Sequence, residues 1–360
     1  MLLYINFPVP VLGYNMQKPK ALQKGNTIAV LSPSWGGPSL FPHIYQQGLS
    51  NIRALGFNVV EFPTATTDAT TLYLDPKLRA RDINDAFANT SVDGIISTIG
   101  GEDSVRILPY IDTDIVRNNP KFFMGYSDTT TLTSYFNQLG LVSFNGPAVM
   151  AGFSQLNAFS EAYRNYLTGV LFNSPEAWEM PVFEEYHTGY PSWSDVANTG
   201  KVKEAEINHG PRFLQGSGVC SGRLFGGCVE VLEMMKGTRF WPDEDFWNGK
   251  VLFLETSEDK PPVGQIRHWL RNYGMLGVFE RINGVLVGRP NSYSDAEKDA
   301  LDETLTMVIS REFGRSDLPV VSRLDFGHTD PQLVMPLGIE CQIDCDRRQL
   351  RLMESAFSDA

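Results

Sequence analysis

The chain has 360 residues, of which 42% are hydrophobic, and its formal net charge at pH 7 is −12. This length accommodates two domains of ordinary size, and the hydrophobic content supports packed cores and excludes a disordered chain. The negative charge argues against electrostatic binding to nucleic acid or to an anionic membrane surface. The composition is typical of a soluble cytosolic enzyme.

The N-terminal segment Leu2–Tyr14 is apolar, although Pro8 and Pro10 interrupt the run. No positively charged region precedes it, no small-residue cleavage site follows it before Lys18, and it is too short to span a bilayer. The sequence therefore predicts an extended tail over residues 1–23 and neither a signal peptide nor a membrane anchor.

Strands and helices alternate over residues 24–174. The predicted elements are a strand at Thr27–Ser32, a helix at Tyr45–Leu55, a strand at Phe57–Val60, a helix at Asp75–Phe87, and strands at Asp93–Ile99 and Lys121–Gly125. This alternation predicts a parallel sheet that is covered by helices on both faces. Ligands bind beyond the carboxyl ends of the strands in such sheets. The residues expected at that edge are Ser32, Gly100, Gly101 and Ser127.

The segment Met124–Thr130 joins the last of these strands to an amphipathic helix that is predicted to begin at Asp128. A serine at such a corner has its hydroxyl raised out of the sheet, beside N–H groups that can stabilise an oxyanion. The spacing is not G-x-S-x-G, because Thr129 replaces the second glycine. Ser127 is therefore a candidate nucleophile, and a helix N-cap is the alternative reading of this residue.

Residues 175–214 mix aromatic side chains with proline, glycine and acidic residues and show no clear periodicity, which is typical of a functional loop or a domain crossover. A second α/β domain is predicted over residues 215–360. Its predicted elements are strands at Val251–Leu254, Gly284–Val287 and Pro319–Ser322, helices at Val263–Tyr273 and Asp295–Phe313, and a strand-rich run at Glu340–Glu354.

The chain has only five histidines, which makes the search for a general base short. His43 and His268 fall on predicted helices, and His187 and His209 fall in the irregular segment. His328 follows Gly327 at the end of a predicted strand, where the backbone can turn and direct the imidazole toward a site. An orienting carboxylate is also expected. Glu255 ends an apolar strand, and its rivals for this role are Glu258 and Asp259.

Four cysteines, namely Cys220, Cys228, Cys341 and Cys345, are too few and too loosely spaced for a disulfide scaffold. There is no C-x-x-C or H-E-x-x-H segment, and the glycine pairs complete neither a G-x-G-x-x-G fingerprint nor a P-loop. The sequence therefore predicts reduced thiols, no metal site, and no nucleotide phosphate site of those two kinds.

Taken together, six segments resemble the LD-carboxypeptidase family of serine peptidases, and the resemblance spans roughly Lys24 to Glu354. The segments are Ile28–Ser34, Ile99–Ser104 with Leu108-Pro109, Gly125–Asp128, Gly222–Gly227, Leu252–Glu255 and Gly327-His328. The resemblance implies a flavodoxin-like N-terminal domain with a parallel sheet and a smaller, mixed α/β C-terminal domain. It also implies a cytoplasmic and commonly homodimeric enzyme that uses no cofactor.

The family resemblance implies a Ser-His-Glu triad, which in this chain corresponds to Ser127, His328 and Glu255. The oxyanion hole would consist of the backbone N–H groups of Gly101 and Asp128. The nucleophile would then belong to the first domain, and its two partners to the second.

Two branches of the family differ in substrate. Murein LD-carboxypeptidases remove a terminal D-alanine from cell-wall peptides, and MccF-like enzymes cleave the amide that joins an amino acid or peptide to a modified adenylate. The length of the aromatic segment and the Gly-Gly-Glu-Asp-Ser form favour the MccF-like branch. Trp193 and Trp178 are candidates for stacking on adenine, and Glu102 is a further candidate substrate-binding residue.

Alternatives remain at this stage. Both tryptophans could instead pack the domain interface, and Glu184, Glu185 or Asp195 could bind an ammonium group of a murein peptide. A two-domain chain with an aromatic loop could also be a non-catalytic protein that binds a small molecule, with Ser127 serving only as a cap.

Overall fold

The structure, a computed structural model, describes residues 16–172 and 176–358. The strands are β1 (Thr27–Leu31), β2 (Asn58–Glu61), β3 (Gly94–Ser97), β4 (Phe122–Gly125), β5 (Ser143–Asn145), β6 (Trp178–Glu179), β7 (Glu185–Thr188), β8 (Ala205–Ile207), β9 (Arg212–Gln215), β10 (Val219–Cys228), β11 (Lys250–Glu255), β12 (Gly284–Gly288), β13 (Val320–Leu324), β14 (Thr329–Asp330), β15 (Met335–Leu337), β16 (Glu340–Asp344) and β17 (Gln349–Leu352). Residues 1–15 of the predicted tail 1–23 lie outside the described residues, whereas Gln17 forms a bridge with Leu141 and Leu22 is buried.

The α-helices lie mainly in the crossovers between parallel strands. They are α1 (Gly37–Leu40), α2 (Pro42–Ala54), α3 (Ala69–Leu74), α4 (Pro76–Ala88), α5 (Thr113–Asn118), α6 (Thr130–Gln138), α7 (Glu161–Phe172), α8 (Val229–Met235), α9 (Val263–Met275), α10 (Val278–Arg281) and α11 (Asp295–Thr306). Ser294 and Glu297 form a capping box at the start of α11. Within the described ranges, no helix is long and apolar enough to cross a membrane.

Two large sheets organise the described chain. The first has the strand order β15-β5-β4-β3-β1-β2, in which β1 to β5 are parallel and β15 is antiparallel to β5. The second has the order β6-β17-β16-β10-β11-β12-β13-β9, with β10 to β13 parallel and antiparallel strands on both sides. These sheets confirm the predicted α/β class, with a parallel N-terminal sheet and a mixed second sheet.

Side chains from both sheets form one buried apolar cluster. The contact between the sheets is close beside α6, because a Cβ on Gly227 of β10 would lie 2.5 Å from Thr130 Cγ2. The backbone N–H of Cys228 donates a hydrogen bond of 3.0 Å to Thr130 Oγ1. The first turn of α6, directly after Ser127, is therefore fixed against the second sheet.

Strand β14, which directly follows His328, pairs with β7 in a small three-stranded sheet. Strand β15 then joins the edge of the first sheet beside β5. His328 consequently lies on a segment that leaves the second sheet and enters the first, a connection that the sequence did not indicate.

The segment between the two predicted domains is anchored by a buried ion pair. Arg289, just after β12, contacts Asp325 at 2.7 Å, and each side chain is 4% exposed. Asp325 also accepts hydrogen bonds from Phe183 N–H and from the Asn208 side-chain amide. The pair therefore ties the crossover segment to the second sheet.

We expect Arg289→Met to lower the free energy of unfolding by about 3–5 kcal/mol at pH 7, because it leaves the Asp325 carboxylate buried without its cation. Arg271→Met is the matched control: its pair with Glu312 is largely solvent-exposed, so its loss should lower the free energy of unfolding far less. Urea denaturation followed by circular dichroism measures both values. Equal losses in the two variants would contradict the anchoring role of Arg289.

Candidate active site

Ser127 occupies a strained corner between β4 and α6. Its φ angle is +58°, which is unusual for a residue other than glycine. A single 3₁₀ turn, Ser127–Thr129, connects the strand to the helix. Ser127 does not cap this turn through its side chain, because the N-cap position belongs to Tyr126 and makes no side-chain cap bond. The geometry is that of a strand–turn–helix corner that exposes the serine.

Glycines surround Ser127 because the chain leaves no room for side chains there. A Cβ on Gly100 would lie 2.7 Å from the Ser127 Cβ and 2.8 Å from its Oγ. A Cβ on Gly101, where φ is +148°, would lie 2.2 Å from the Ser34 hydroxyl oxygen. The loop after β3 can therefore pass close to Ser127 and Ser34 only with glycine at positions 100 and 101.

The candidate oxyanion donors lie on two segments that converge beside Ser127. Within the described part of the chain, the Gly101 N–H has no hydrogen-bond partner. Asp128 lies in the first turn that leads into α6, where N–H groups lack intrahelical partners. Its buried carboxylate accepts a hydrogen bond of 2.8 Å from Ser104 N–H, and Ser104 Oγ donates to the Asp128 carbonyl. Burial raises the pKa of Asp128.

A buried ion pair fixes the loop that carries Gly101. Arg79 on α4 is fully buried and binds both carboxylate oxygens of Asp103, at 2.7 and 2.8 Å. Arg106 also contacts this carboxylate at 2.7 Å. The adjacent Glu102 is exposed and does not line the cleft described below. Asp103 therefore anchors the loop, and the substrate contact expected of Glu102 stays a prediction.

Glu255, the last residue of β11, meets His328, which lies between β13 and β14. The Nδ1 atom of His328 lies 2.6 Å from Oε2 of Glu255, and both side chains are buried. Their approach requires Gly327, where φ is +99° and a Cβ would lie 2.7 Å from both the Cβ and Oε2 of Glu255. Asn291 donates a hydrogen bond of 2.9 Å to the His328 carbonyl, which fixes the backbone at this position.

Glu258 faces the other nitrogen of the same imidazole. Its Oε2 lies 3.0 Å from His328 Nε2, although the two atoms are not aligned as a hydrogen bond. Burial of the ring opposes its charge, but the Glu255 and Glu258 carboxylates outweigh this effect and raise the pKa of His328 well above its ordinary value. The contact with His328 lowers the pKa of Glu258 to about 2. Glu255, and not Glu258, is therefore the carboxylate that contacts Nδ1 of His328.

Ser127 and His328 line a single open cleft of about 510 Å³. The Tyr126 ring packs against the imidazole with a centroid distance of 5.0 Å. Trp193 also lines the cleft, beside Phe41 and Tyr190 with ring-centroid distances of 5.7 and 5.6 Å. Its indole N–H is buried and has no hydrogen-bond partner among the described residues. Trp193 therefore presents its ring to the cleft.

Trp178 lies elsewhere. It pairs with Leu352 at the edge of the second sheet, and its ring is 5.3 Å from that of Tyr166. It lines a small separate cavity and not the cleft that contains Ser127. The expectation that Trp178 binds substrate is therefore corrected: it packs the junction between the sheets, as the alternative reading proposed.

Several residues that line the cleft escaped the sequence analysis. They are Trp35, Phe41, Tyr126, Tyr190, Lys203, Asn291 and Ser292. Trp35 follows the carboxyl end of β1, a position that could have identified it. Lys203 and Asn291 carry no comparable signal. The acidic residues proposed for an ammonium, Glu184, Glu185 and Asp195, do not line the cleft.

Models of a known protein family match both halves of the chain. The LD-carboxypeptidase N-terminal domain matches residues 28–146, and the LD-carboxypeptidase C-terminal domain matches residues 221–343. The chain belongs to the LD-carboxypeptidase family. This membership confirms the resemblance inferred from the sequence and makes the protein an enzyme of the serine-type carboxypeptidase class.

Relatives within the LD-carboxypeptidase family cover nearly the whole chain. A protein of Vibrio cholerae named as a carboxypeptidase is 28% identical over 92% of this chain and 96% of its own length. The microcin C7 self-immunity protein MccF of Escherichia coli is 27% identical over 94% and 96%, respectively. A protein of Bacillus subtilis named as a murein peptide carboxypeptidase is 25% identical over 91% of both chains.

Solved structures of this family share the fold. An MccF-like protein from Streptococcus pneumoniae in complex with AMP has a TM-score of 0.81 and 28% identity, covering 91% of this chain and 98% of its own. MccF in complex with glutamyl sulfamoyl guanosine has a TM-score of 0.80 and 26% identity, covering 95% and 99%. Both therefore share the two-domain architecture of this chain.

We expect Gly327→Ala to destabilise the protein by about 2–5 kcal/mol, because an alanine is strained at positive φ and its Cβ overlaps Glu255. Gly25→Ala is the control, since φ is +90° there and no atom lies within 4 Å of the added Cβ; it should cost only about 1–2 kcal/mol. Urea denaturation measures stability, and proton NMR reports the His328 Nδ1 proton. If this NMR signal were unchanged in Gly327→Ala, Gly327 would not be what permits the His328–Glu255 contact.

Proposed function

We propose that this LD-carboxypeptidase family member is an MccF-like amide hydrolase that cleaves aminoacyl or peptidyl nucleotide amides through Ser127, His328 and Glu255. The observation that carries the proposal is that a strained serine, Ser127, lines the same cleft as His328, whose Nδ1 contacts the buried Glu255. In this scheme the nucleophile belongs to the predicted domain 24–174, and its two partners belong to the predicted domain 215–360. A cytoplasmic location and a homodimeric state remain predictions from the family resemblance.

The proposed reaction follows the chemistry of serine acyl transfer. His328 Nε2 removes the hydroxyl proton of Ser127 as the oxygen attacks the amide carbonyl, and Glu255 stabilises the resulting imidazolium. The N–H groups of Gly101 and Asp128 stabilise the oxyanion. His328 then protonates the leaving amine, and water hydrolyses the acyl-enzyme by the same steps in reverse. These groups supply every proton transfer, so the proposed mechanism uses neither a metal nor an organic cofactor.

The nucleotide branch is favoured by the wall of the cleft. Trp193, Tyr190 and Phe41 give it a flat aromatic side, and a purine can stack on such a surface. The structural relatives bound to AMP and to glutamyl sulfamoyl guanosine support the same class of ligand.

Murein tetrapeptide LD-carboxypeptidase activity is the second candidate. It is favoured by the similarity to the Bacillus subtilis protein named as a murein peptide carboxypeptidase. A murein peptide carries charges and no purine, so its recognition would depend on ionic groups and not on the aromatic wall. The third reading, a binding protein without catalysis, predicts that Ser127 is dispensable for ligand affinity and that no turnover occurs.

We expect Ser127→Ala to reduce turnover at least about 10⁴-fold while it retains substrate binding, because only the attacking oxygen is removed. A fluorophosphonate reagent should label Ser127 in the parent protein and no residue in the variant, as measured by mass spectrometry. EDTA should leave the parent's turnover unchanged. Ser194, which lines the same cleft, provides the control: Ser194→Ala should keep both turnover and labelling. Retained turnover in Ser127→Ala would exclude this nucleophile.

We expect Trp193→Ala to weaken binding of an amide-linked aminoacyl adenylate analogue by roughly 5- to 150-fold, which corresponds to the loss of one base-stacking contact of about 1–3 kcal/mol. Trp178→Ala is the control, because this tryptophan lies outside the cleft. Isothermal titration calorimetry on the Ser127→Ala background measures the affinities. Release of D-alanine from a murein tetrapeptide, with the adenylate analogue left intact by the parent enzyme, would reverse the choice of branch.

A further inference from the structure

Glu258 contacts the nitrogen of His328 that a serine hydrolase needs to keep free for proton transfer. Its carboxylate lies 3.0 Å from His328 Nε2, the nitrogen that would accept the Ser127 proton. The contact is not aligned as a hydrogen bond, and no other group of the described chain binds this nitrogen. The side chain of Glu258 is 68% exposed, whereas that of His328 is 6% exposed. The solvent-exposed side chain of Glu258 therefore covers Nε2 of the buried His328.

The two carboxylates around the ring dictate its protonation state. A neutral imidazole that donates Nδ1–H to Glu255 has a lone pair at Nε2, and this lone pair would face the negative charge of Glu258. A protonated imidazole donates Nδ1–H to Glu255 and places its positive charge beside Glu258, which avoids this repulsion. The arrangement therefore stabilises the imidazolium, which cannot accept a proton from serine.

The loop that carries Glu258 is fixed at both ends. On one side, Ser257 N–H and Oγ donate hydrogen bonds of 2.8 and 2.7 Å to Glu230. On the other side, the Lys260 ammonium contacts Glu297 at 3.0 Å. The Glu258 side chain lies between these anchors and extends into the cleft. It can therefore rotate away from His328 without any movement of the loop backbone.

The remaining charged groups near His328 do not substitute for Glu258. The buried Asp330 carboxylate is engaged by Tyr190 OH at 2.5 Å and by the Gln332 amide at 3.2 Å. The Tyr126 ring packs on the imidazole but carries no charge at neutral pH. Among the described residues that line the cleft, Glu258 is the one carboxylate and Lys203 the one lysine or arginine. A cationic substrate group therefore has a single acidic partner in the cleft.

We propose that Glu258 binds a cationic group of the substrate, an ammonium close to the scissile amide, and that this contact releases His328 to act as the base. The inference rests on the proposed hydrolase function. When Glu258 turns to the ammonium, the Nε2 proton passes to solvent water and the Nδ1 proton remains on the bond to Glu255. The Nε2 lone pair can then accept the hydroxyl proton of Ser127. The enzyme is thus activated by the charge of its own substrate.

The first part of the test uses the protein without substrate. NMR titration of imidazole-labelled protein gives the pKa of His328 in the parent, in Glu258→Gln and in Asp259→Asn. Glu258→Gln keeps the size of the side chain and removes its charge, so this pKa should fall by about one to two pH units. The neighbouring Asp259 is exposed and does not line the cleft, so its variant should titrate like the parent. An unchanged pKa in Glu258→Gln overturns the inference.

The second part compares two substrates that differ only in charge. One is the amide-linked aminoacyl adenylate analogue with a free α-amine, and the other is its N-acetylated form. The parent and Asp259→Asn should prefer the free amine by roughly 10- to 100-fold in kcat/KM, as expected for a charge-assisted contact. Glu258→Gln should lose this preference. The acid limb of its kcat/KM profile should also move to lower pH, since its base deprotonates at lower pH.

The outcomes separate this inference from the proposed function. Turnover of both substrates with the same preference in the parent and in Glu258→Gln overturns the inference and leaves the hydrolase function standing. Absence of turnover in the parent for the adenylate analogue and for the murein tetrapeptide overturns the proposed function itself. A fall in preference without a shift of the acid limb overturns the release of His328, because binding of the ammonium would then be uncoupled from the base.

Discussion

The arrangement of the site depends on the buried carboxylate of Glu255. A charged group at the end of an internal strand is costly unless it is paired, and its close partner is His328 Nδ1 at 2.6 Å. The pairing imposes a requirement on the backbone: Gly327 must carry no side chain, because its Cβ would overlap Glu255. Gly288 is constrained in the same way, since a Cβ there would lie 3.0 Å from the Glu255 Cβ.

The same constraint links the two sheets. Glu255 and His328 extend from the second sheet, whereas Ser127 is at the end of β4 in the first. One link is the hydrogen bond that Thr130 Oγ1 accepts from Cys228 N–H. The other is the chain after His328, which continues into β14 and β15. The relative position of Ser127 and His328 is therefore set by packing between the sheets. Substitutions that create cavities at this junction would therefore shift Ser127 relative to His328, even when they are far from both side chains.

The chemical character of the cleft is divided between its walls. Aromatic rings at Trp193, Tyr190 and Phe41 form an apolar side, while Glu258 and Lys203 supply one negative and one positive group. Such a surface suits a ligand that has a flat ring system and both charges, and it offers less to a purely apolar one. In the proposed scheme Glu258 has a second function, because the carboxylate that would bind the ligand also contacts Nε2 of His328, the proposed base.

The sequence alone predicted the alternation of strands and helices, the position of Ser127 at the corner between a strand and a helix, and His328 as the candidate base among five histidines. These follow from local patterns, namely apolar runs, glycine before a histidine, and a serine at a strand end. It did not separate Glu255 from Glu258, and it grouped Trp178 with Trp193. Only the tertiary structure decided these points. Which nitrogen a carboxylate reaches, and which cavity an indole lines, depends on packing between segments that are distant in sequence, and short-range periodicity carries no information about that packing.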